Sequence, residues 1–151
     1  MEKKRVLMVC LGNICRSPLA EGILKSKIDP SKVYVDSAGT GHWHVGNSPD
    51  ERSIAVGRKY NVDITDQRGR QFSAKDFDNF DLIYVMDTFN KEDVLDLAQN
   101  EDHRKKVKLI LDEIFPGENV DVPDPYLGGN IGFESVFKML DEACERIAKK
   151  L

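Results

Sequence analysis

Arg5-Val-Leu-Met-Val-Cys-Leu-Gly-Asn-Ile-Cys-Arg-Ser-Pro18 contains the strongest structural signal in the sequence. From Arg5 to Cys10 it is an apolar run, bounded by charge on one side and by Gly12-Asn13 on the other, which is typical of a strand buried on both faces. Ser17-Pro18 then predicts a helix start, with the serine as N-cap and the proline in the first turn. We therefore expect a central parallel strand, a short loop and a helix.

Strand and helix patterns alternate through the rest of the chain. Strands are predicted at residues 33–36, 81–86 and 107–111, and helices at residues 48–60, 91–98 and 133–151. This alternation predicts an α/β fold, a three-layer sandwich with a small central parallel sheet of about four strands flanked by helices. Ligands of such folds bind beyond the carboxyl ends of the strands, where Cys10 lies. No repeat or linker divides the sequence, so we expect a single domain over residues 1–151.

Composition and charge argue against several classes of partner and location. The formal net charge is −4, which argues against non-specific binding to nucleic acid or to an anionic membrane, because both need a basic surface. The apolar run after the charged N-terminus is too short for a secretory signal or a membrane span, so a cytoplasmic location is expected. The odd number of cysteines, three, fits a reducing compartment.

A metal site is not predicted. The three histidines are His42, His44 and His103, and none stands near a cysteine at zinc-ligand spacing. We interpret them as exposed loop residues.

The loop after the first strand has the features of an anion cradle. A short loop between a strand end and a helix start can point its backbone N–H groups inward, and the helix N-terminus adds further donors. Gly12 and Asn13 readily accept left-handed backbone angles, and Arg16 offers a planar fork of donors to phosphate oxygens. The predicted phosphate-binding residues are Leu11, Gly12, Asn13, Ile14, Cys15, Arg16 and Ser17.

Cys10 is the predicted nucleophile of this loop. A helix N-terminus and a nearby arginine stabilise a thiolate, and the Ser17 hydroxyl could donate a further hydrogen bond to the sulfur. A cysteine and an arginine six positions apart would, alone, more often be a buried cysteine and a surface arginine. The preceding strand and the helix start at Ser17-Pro18 favour the interpretation of Cys10 as a nucleophile over that of a buried cysteine.

Two segments of the chain carry a family resemblance. The first, Val9-Cys-Leu-Gly-Asn-Ile-Cys-Arg-Ser-Pro18, resembles the phosphate-binding loop of the low-molecular-weight protein tyrosine phosphatases. The second, Asp124-Pro125-Tyr126, resembles their general-acid loop. The resemblance covers essentially the whole chain. Its further landmarks, in order, are Asp36-Ser-Ala-Gly39, Trp43, Ser48-Pro49-Asp50, Arg70-Gln71, Phe80-Asp81 and Met86-Asp87.

The resemblance implies hydrolysis of phosphotyrosine in proteins, and of small aryl phosphates, through a phosphocysteine on Cys10. Arg16 would clamp the phosphate and Asp124 would act as general acid and base; inorganic phosphate is the product and no cofactor is needed. Pro123 and Pro125 would fix the position of Asp124, although Asp-Pro alone is common in plain turns.

Two aromatic residues, Trp43 and Tyr126, resemble family positions that line the substrate cleft. For Trp43 the alternative is an anchor in the core, against which its loop-like surroundings argue. Cys15 has two interpretations, a cysteine packed under the loop or a partner that captures oxidised Cys10 in a disulfide, as the family suggests.

The chain departs from the mammalian members at two positions. Gln67 stands where they carry a histidine that hydrogen-bonds the loop asparagine, and Gly41 replaces a serine of the same supporting network. These departures put the support of Asn13 in question.

Two other functions are less consistent with the sequence. An arsenate reductase of the same fold would need further cysteines near the site, whereas only Cys144, in the predicted terminal helix, follows Cys15. A non-catalytic phosphate-binding module would gain nothing from keeping Cys10, Arg16 and Asp124 together.

Overall fold

The structure, a computed structural model, describes residues 3–126 and 130–151. Its elements are β1 (Lys4–Cys10), α1 (Arg16–Lys25), β2 (Val33–Gly39), α2 (Glu51–Lys59), α3 (Asp76–Asn79), β3 (Leu82–Val85), α4 (Thr88–Leu95), α5 (Glu101–Lys106), β4 (Val107–Leu109), a 3-10 helix (Ile110–Glu113) and α6 (Asn130–Lys150). The strands form a parallel sheet in the order β2-β1-β3-β4. The predicted α/β fold with a four-stranded parallel sheet is confirmed.

The central strand, β1, divides the core into two layers. Val6 and Met8 point to the face covered by α1, α2 and α6, whereas Leu7 and Val9 point to the face covered by α3 and α4. All four side chains are fully buried, as the unbroken apolar run predicts for a strand covered on both faces. No helix within the described ranges combines the length and the apolar character needed to cross a bilayer.

The first helix does not begin as predicted. α1 starts at Arg16, its N-cap position is Cys15 without a side-chain cap, and Ser17 is its second residue. The Ser17 hydroxyl is engaged by Asn13 Nδ2 at 2.8 Å and lies 3.0 Å from Cys10 Sγ. Because the hydroxyl faces the loop, the prediction of Ser17 as N-cap was wrong.

Other boundaries shift for identifiable reasons. β2 extends to Gly39, beyond the predicted break after Asp36, because it pairs with β1 as far as Cys10. α2 begins at Glu51 and not at residue 48, because Asp50 caps it by accepting from the Arg52 N–H at 2.8 Å.

Short capped helices were the hardest to predict. α4 starts at Thr88, earlier than predicted, because Asp87 caps it. The four-residue α3 and six-residue α5 were not predicted, since neither is long enough to show a helical apolar stripe. α5 buries His103, which stacks on Phe77 with ring centroids 4.5 Å apart, so the interpretation of this histidine as an exposed loop residue was wrong.

Candidate active site

A cavity of about 200 Å³ opens at the carboxyl end of β1. It is lined by Cys10, Leu11, Gly12, Ile14, Cys15, Arg16, Trp43, His44, Asp124 and Tyr126. The structure thus brings together in one cavity the predicted nucleophile, clamp, acid and cleft residues, which are separated by up to 116 positions in the sequence (126 minus 10).

Three carbonyl groups between Cys10 and Ile14 accept from backbone N–H groups of residues that do not line this cavity. Cys10 O accepts from Thr40 N at 2.9 Å, Leu11 O from Gly41 N at 2.9 Å, and Ile14 O from Asp50 N at 2.8 Å. In a trans peptide the N–H points opposite to the C=O, so the N–H groups that follow these carbonyls are turned toward the cavity. Together with the N-terminus of α1, they form a cradle for an anion.

Asn13 supports the loop from behind. It adopts a left-handed backbone conformation, with φ of 56°. Its Nδ2 donates to Ser17 Oγ at 2.8 Å and to Ser37 Oγ at 3.0 Å, and its Oδ1 accepts from Arg70 N at 3.0 Å. Gln67 instead donates to Pro18 O at 3.0 Å. The departures from the mammalian pattern therefore leave the support of Asn13 intact, because Ser37 and the Arg70 backbone supply it.

A buried carboxylate at the far end of this network fixes the direction of its hydrogen bonds. Glu21, only 4% exposed, accepts from Ser37 Oγ at 2.6 Å and from Lys25 Nζ at 2.5 Å. Burial raises the pKa of Glu21 and outweighs the hydrogen bonds from Lys25 and Ser37, which lower it. Because a carboxylate can only accept, Ser37 donates to Glu21 and accepts from Asn13.

The same reasoning orients the hydroxyl next to the nucleophile. Ser17 Oγ accepts from Asn13 Nδ2, so its own hydrogen is available for Cys10 Sγ at 3.0 Å; the alternative acceptor, Ala38 O, is farther, at 3.4 Å. Asn13 N also donates to Cys10 Sγ, at 3.2 Å. The sulfur therefore receives two hydrogen bonds, an arrangement that stabilises a thiolate.

Arg16 lies beside the cradle with its side chain almost completely buried. Its Nη1 donates to Asp87 Oδ2 at 2.7 Å and to Val122 O at 2.8 Å, and its Nη2 lies 3.7 Å from Asp124 Oδ2. Burial opposes the charge of Arg16, but Cys10, Asp87 and Asp124 outweigh it and raise the pKa of the guanidinium. Arg16 is therefore charged and held in place.

No functional role was predicted for Asp87, although this residue orients Arg16. Its position directly after Met86, at the carboxyl end of a predicted strand, was the available signal. The same carboxylate caps α4 by accepting from Asn90 N at 2.8 Å.

Asp124 stands at the mouth of the cavity. Its side chain is 47% exposed, and its Oδ1 accepts from Tyr126 N at 3.0 Å. The chain leading to it is tied to the sheet, since Val122 N donates to Met86 O at 2.8 Å. A carboxyl group at this place can reach the leaving oxygen of an ester whose phosphate occupies the cradle.

Aromatic rings form the outer wall of the cavity. Trp43 and Tyr126 are 65% and 43% exposed, so Trp43 lies outside the core. The indole lies on Gly41, where an added Cβ would come within 2.0 Å of the ring. His44, for which no functional role was predicted, also lines the cavity, with its ring centroid 6.4 Å from that of Tyr126.

The three cysteines differ in environment, and none forms a disulfide. Burial, with smaller contributions from Asp50, Cys10 and Asp124, raises the pKa of the Cys15 thiol to about 12. Cys144 is fully buried in α6 with its sulfur 3.7 Å from Ala20 O, and burial raises its pKa as well. Among residues 3–126 and 130–151, no three His, Cys, Asp or Glu side chains are grouped so that they could hold a metal ion.

Comparisons with known proteins agree with this geometry. The sequence model of the family described as low molecular weight phosphotyrosine protein phosphatase matches residues 5–151. The low molecular weight protein-tyrosine-phosphatase YfkJ of Bacillus subtilis is 40% identical over 148 residues, which cover 94% of this chain and 92% of that protein.

Solved structures give the same result. A protein tyrosine phosphatase of Entamoeba histolytica, crystallised with Hepes in its active site, superposes with a TM-score of 0.91 and 38% identity, over 98% of this chain and 96% of that one. Wzb of Vibrio vulnificus, in complex with benzylphosphonate, superposes with a TM-score of 0.88 and 30% identity, over 99% of this chain and 100% of that one. The chain belongs to the low molecular weight phosphotyrosine protein phosphatase family.

Proposed function

We propose that this phosphatase hydrolyses phosphotyrosine monoesters in two steps, with Cys10 as nucleophile, Arg16 as phosphate clamp, and Asp124 as general acid and then general base. The observation that carries the proposal is the position of Cys10 Sγ, which accepts from Ser17 and Asn13 beneath an N–H cradle that Arg16 and Asp124 flank.

In the first step the Cys10 thiolate attacks phosphorus, forming an S–P bond while the bond to the phenolic oxygen breaks. The loop N–H groups and Arg16 hold the equatorial oxygens, where negative charge is concentrated. Protonated Asp124 gives its proton to the phenolic oxygen, which leaves as tyrosine.

In the second step Asp124, now a carboxylate, takes a proton from a water molecule that attacks the phosphocysteine. The S–P bond breaks, inorganic phosphate forms, and the sulfur leaves as the Cys10 thiolate. The hydrogen bond from Ser17 to Cys10 Sγ serves both steps. It stabilises the thiolate when the sulfur attacks phosphorus and again when the sulfur leaves.

The aromatic wall supports phosphotyrosine and aryl phosphates as the substrate class. The phenyl ring of a phosphate ester held in the cradle would contact Trp43 and Tyr126, which line the cavity, whereas the short stem of phosphoserine would not reach their rings. The complex of the Vibrio vulnificus relative with benzylphosphonate, an aryl-bearing phosphonate, is consistent with this choice. The net charge of −4 argues against nucleic acid and anionic membranes as partners.

The alternatives have less support. An arsenate reductase would relay oxidation through cysteines near the site, but Cys144 is buried in α6. A non-catalytic module has no use for an acid at the mouth of the cavity. A cytoplasmic location fits a nucleophile that must stay reduced, because reducing compartments preserve free thiols.

The pH dependence of turnover tests the proposed roles of Cys10 and Asp124. Because the first step needs a deprotonated thiol and a protonated carboxyl, kcat/KM for p-nitrophenyl phosphate should follow a bell-shaped curve. Asp124→Asn should remove the alkaline limb, because the amide does not titrate. A flat wild-type profile between mildly acidic and neutral pH, or an unchanged alkaline limb in Asp124→Asn, would contradict these roles.

We also propose that Cys15 captures oxidised Cys10. Peroxide converts the Cys10 thiolate to a sulfenic acid and releases hydroxide. The Cys15 sulfur then attacks the sulfenic sulfur, an S–S bond forms, and the departing hydroxide leaves as water with the Cys15 proton. The disulfide would protect Cys10 from irreversible oxidation.

The raised pKa of Cys15 predicts how this closure depends on pH. Below a pKa of about 12 only a small fraction of Cys15 is thiolate, so closure should accelerate about tenfold per pH unit where the thiolate fraction limits it. The measurement is mass spectrometry of the Cys10–Cys15 bridge after a brief peroxide pulse ended with catalase. Accumulation of sulfinate at Cys10 with Cys15 still free would refute the capture.

A further inference from the structure

The loop that carries Asp124 is held at each end by an arginine. Upstream, Val122 O accepts from Arg16 Nη1 at 2.8 Å. Downstream, Tyr126 O accepts from Arg52 Nη2 at 2.7 Å. The sequence assigned a role to Arg16 but none to Arg52.

The backbone of Tyr126 connects Arg52 to Asp124. Its carbonyl accepts from Arg52, while its N–H donates to Asp124 Oδ1 at 3.0 Å. Asp124 is half exposed, and the other restraint on its carboxylate is the Arg16 guanidinium, whose Nη2 lies 3.7 Å from Oδ2, beyond hydrogen-bond distance. The position of the Tyr126 backbone therefore governs the orientation of the acid.

Arg52 is fixed from the side of the phosphate-binding loop. Its Nε and Nη2 each lie 3.1 Å from one carboxylate oxygen of Asp50, and Asp50 N donates to Ile14 O at 2.8 Å. The guanidinium also packs over the ring of Phe133, 4.6 Å from its centroid, and over the ring of Tyr126, at 5.6 Å. A rigid, charged fork thus joins the loop that binds phosphate to the loop that supplies the proton.

We propose that Arg52 is a positioning residue that fixes the position of Asp124 relative to the phosphate-binding loop, so that the proton reaches the leaving oxygen as Cys10 attacks. This inference rests on the proposed role of Asp124 as general acid. A general acid works only within hydrogen-bond reach of its acceptor, and a displacement of about 1 Å costs on the order of a hundredfold in rate.

The leaving group distinguishes this role from a merely structural one. A good leaving group, such as 2,4-dinitrophenolate, departs without a proton, whereas phenolate needs one. The parameter to compare is kcat/KM, because it reports only the steps up to phenol release. A misplaced acid should therefore harm phenyl phosphate far more than 2,4-dinitrophenyl phosphate.

The experiment measures kcat/KM for both esters with Arg52→Met, Arg52→Lys, Asp124→Asn and the double variant Arg52→Met with Asp124→Asn. Arg58→Met is the matched control, since Arg58 is an exposed arginine near the other end of α2. Circular dichroism and thermal melting establish that each variant is folded. Should Arg52→Met fail to fold, Arg52→Lys carries the test, because it keeps the charge but cannot hold Asp50 and Tyr126 O with one fork.

We expect Arg52→Met to lose about tenfold to a hundredfold on phenyl phosphate and less than about threefold on the dinitrophenyl ester. Arg52→Lys should lose less, and Arg58→Met should match wild type. In the Asp124→Asn background, Arg52→Met should add almost nothing on phenyl phosphate, because the acid it positions is gone.

The outcomes separate the two proposals. If Arg52→Met loses equally on both esters, or shows only a rise in KM, the positioning role of Arg52 is overturned. A leaving-group dependence in Asp124→Asn would still support the role of Asp124 as general acid. If Asp124→Asn itself shows no leaving-group dependence, the role of Asp124 is overturned, and the inference about Arg52 falls with it.

Discussion

Cys10→Ser should abolish turnover of p-nitrophenyl phosphate, with a loss in kcat of more than about 10⁴-fold. A serine hydroxyl remains protonated at neutral pH, and the hydrogen bonds from Ser17 and Asn13 that stabilise a thiolate cannot compensate for that. Steady-state kinetics measure the loss. The loop N–H groups and Arg16 are unchanged, so the variant should still bind inorganic phosphate, which calorimetry measures.

The matched control is Cys144→Ala. Cys144 is buried in α6, so its replacement should lower the thermal stability slightly and leave kcat within about twofold of wild type. Phosphatase activity in Cys10→Ser above that of the same purification from cells that lack this protein would contradict the assignment of the nucleophile.

Arg16→Lys should lower kcat by about 10²-fold to 10³-fold. Lysine keeps the positive charge, but a single ammonium cannot pair with Asp87 and Val122 O, as Arg16 does, and also hold two phosphate oxygens. Affinity for inorganic phosphate should fall in parallel, since the clamp acts on the bound anion as well as on the transition state.

Arg58→Lys provides the comparison for this substitution, because it makes the same chemical change on an exposed part of α2. We expect it to match wild type in both kinetics and phosphate affinity. An Arg16→Lys variant with near-normal kcat would show that charge alone suffices and that the guanidinium fork is not needed.

The sequence predicted β1, the loop and the chemistry they share, because the information there is local. A short apolar run from Val6 to Cys10, bounded by charge and by Gly12-Asn13, is typical of a strand buried on both faces. The left-handed conformation at Asn13, with φ of 56°, suits a residue type that tolerates it.

The network behind the loop could not be predicted, because it is assembled from distant segments. Ser37 on β2 and Glu21 on α1 meet Asn13 only through the packing of the sheet. The error at Ser17 has the same origin. A serine before proline suits an N-cap locally, but the nearby sulfur and the Asn13 amide use its hydroxyl instead.

Asp87 and Arg52 show a second limit of sequence patterns. Each has an ordinary local role, as the cap of α4 and as the partner of Asp50 at the start of α2. Their connections to Arg16 and to Tyr126 span 71 and 74 positions, and no periodicity or spacing signals them.

Trapping the covalent intermediate identifies the nucleophile of this phosphatase without relying on a loss of activity. Asp124→Asn should be mixed with 2,4-dinitrophenyl phosphate, whose leaving group needs no proton, so that the first step proceeds while hydrolysis, lacking its base, stalls. After a denaturing quench, phosphorus NMR and peptide mass spectrometry locate the phosphoryl group. We predict one phosphoryl group bound to the sulfur of Cys10. A phosphoryl group bound to an oxygen atom of another residue, or a burst of phenol release without any protein-bound phosphorus, would contradict nucleophilic attack by Cys10.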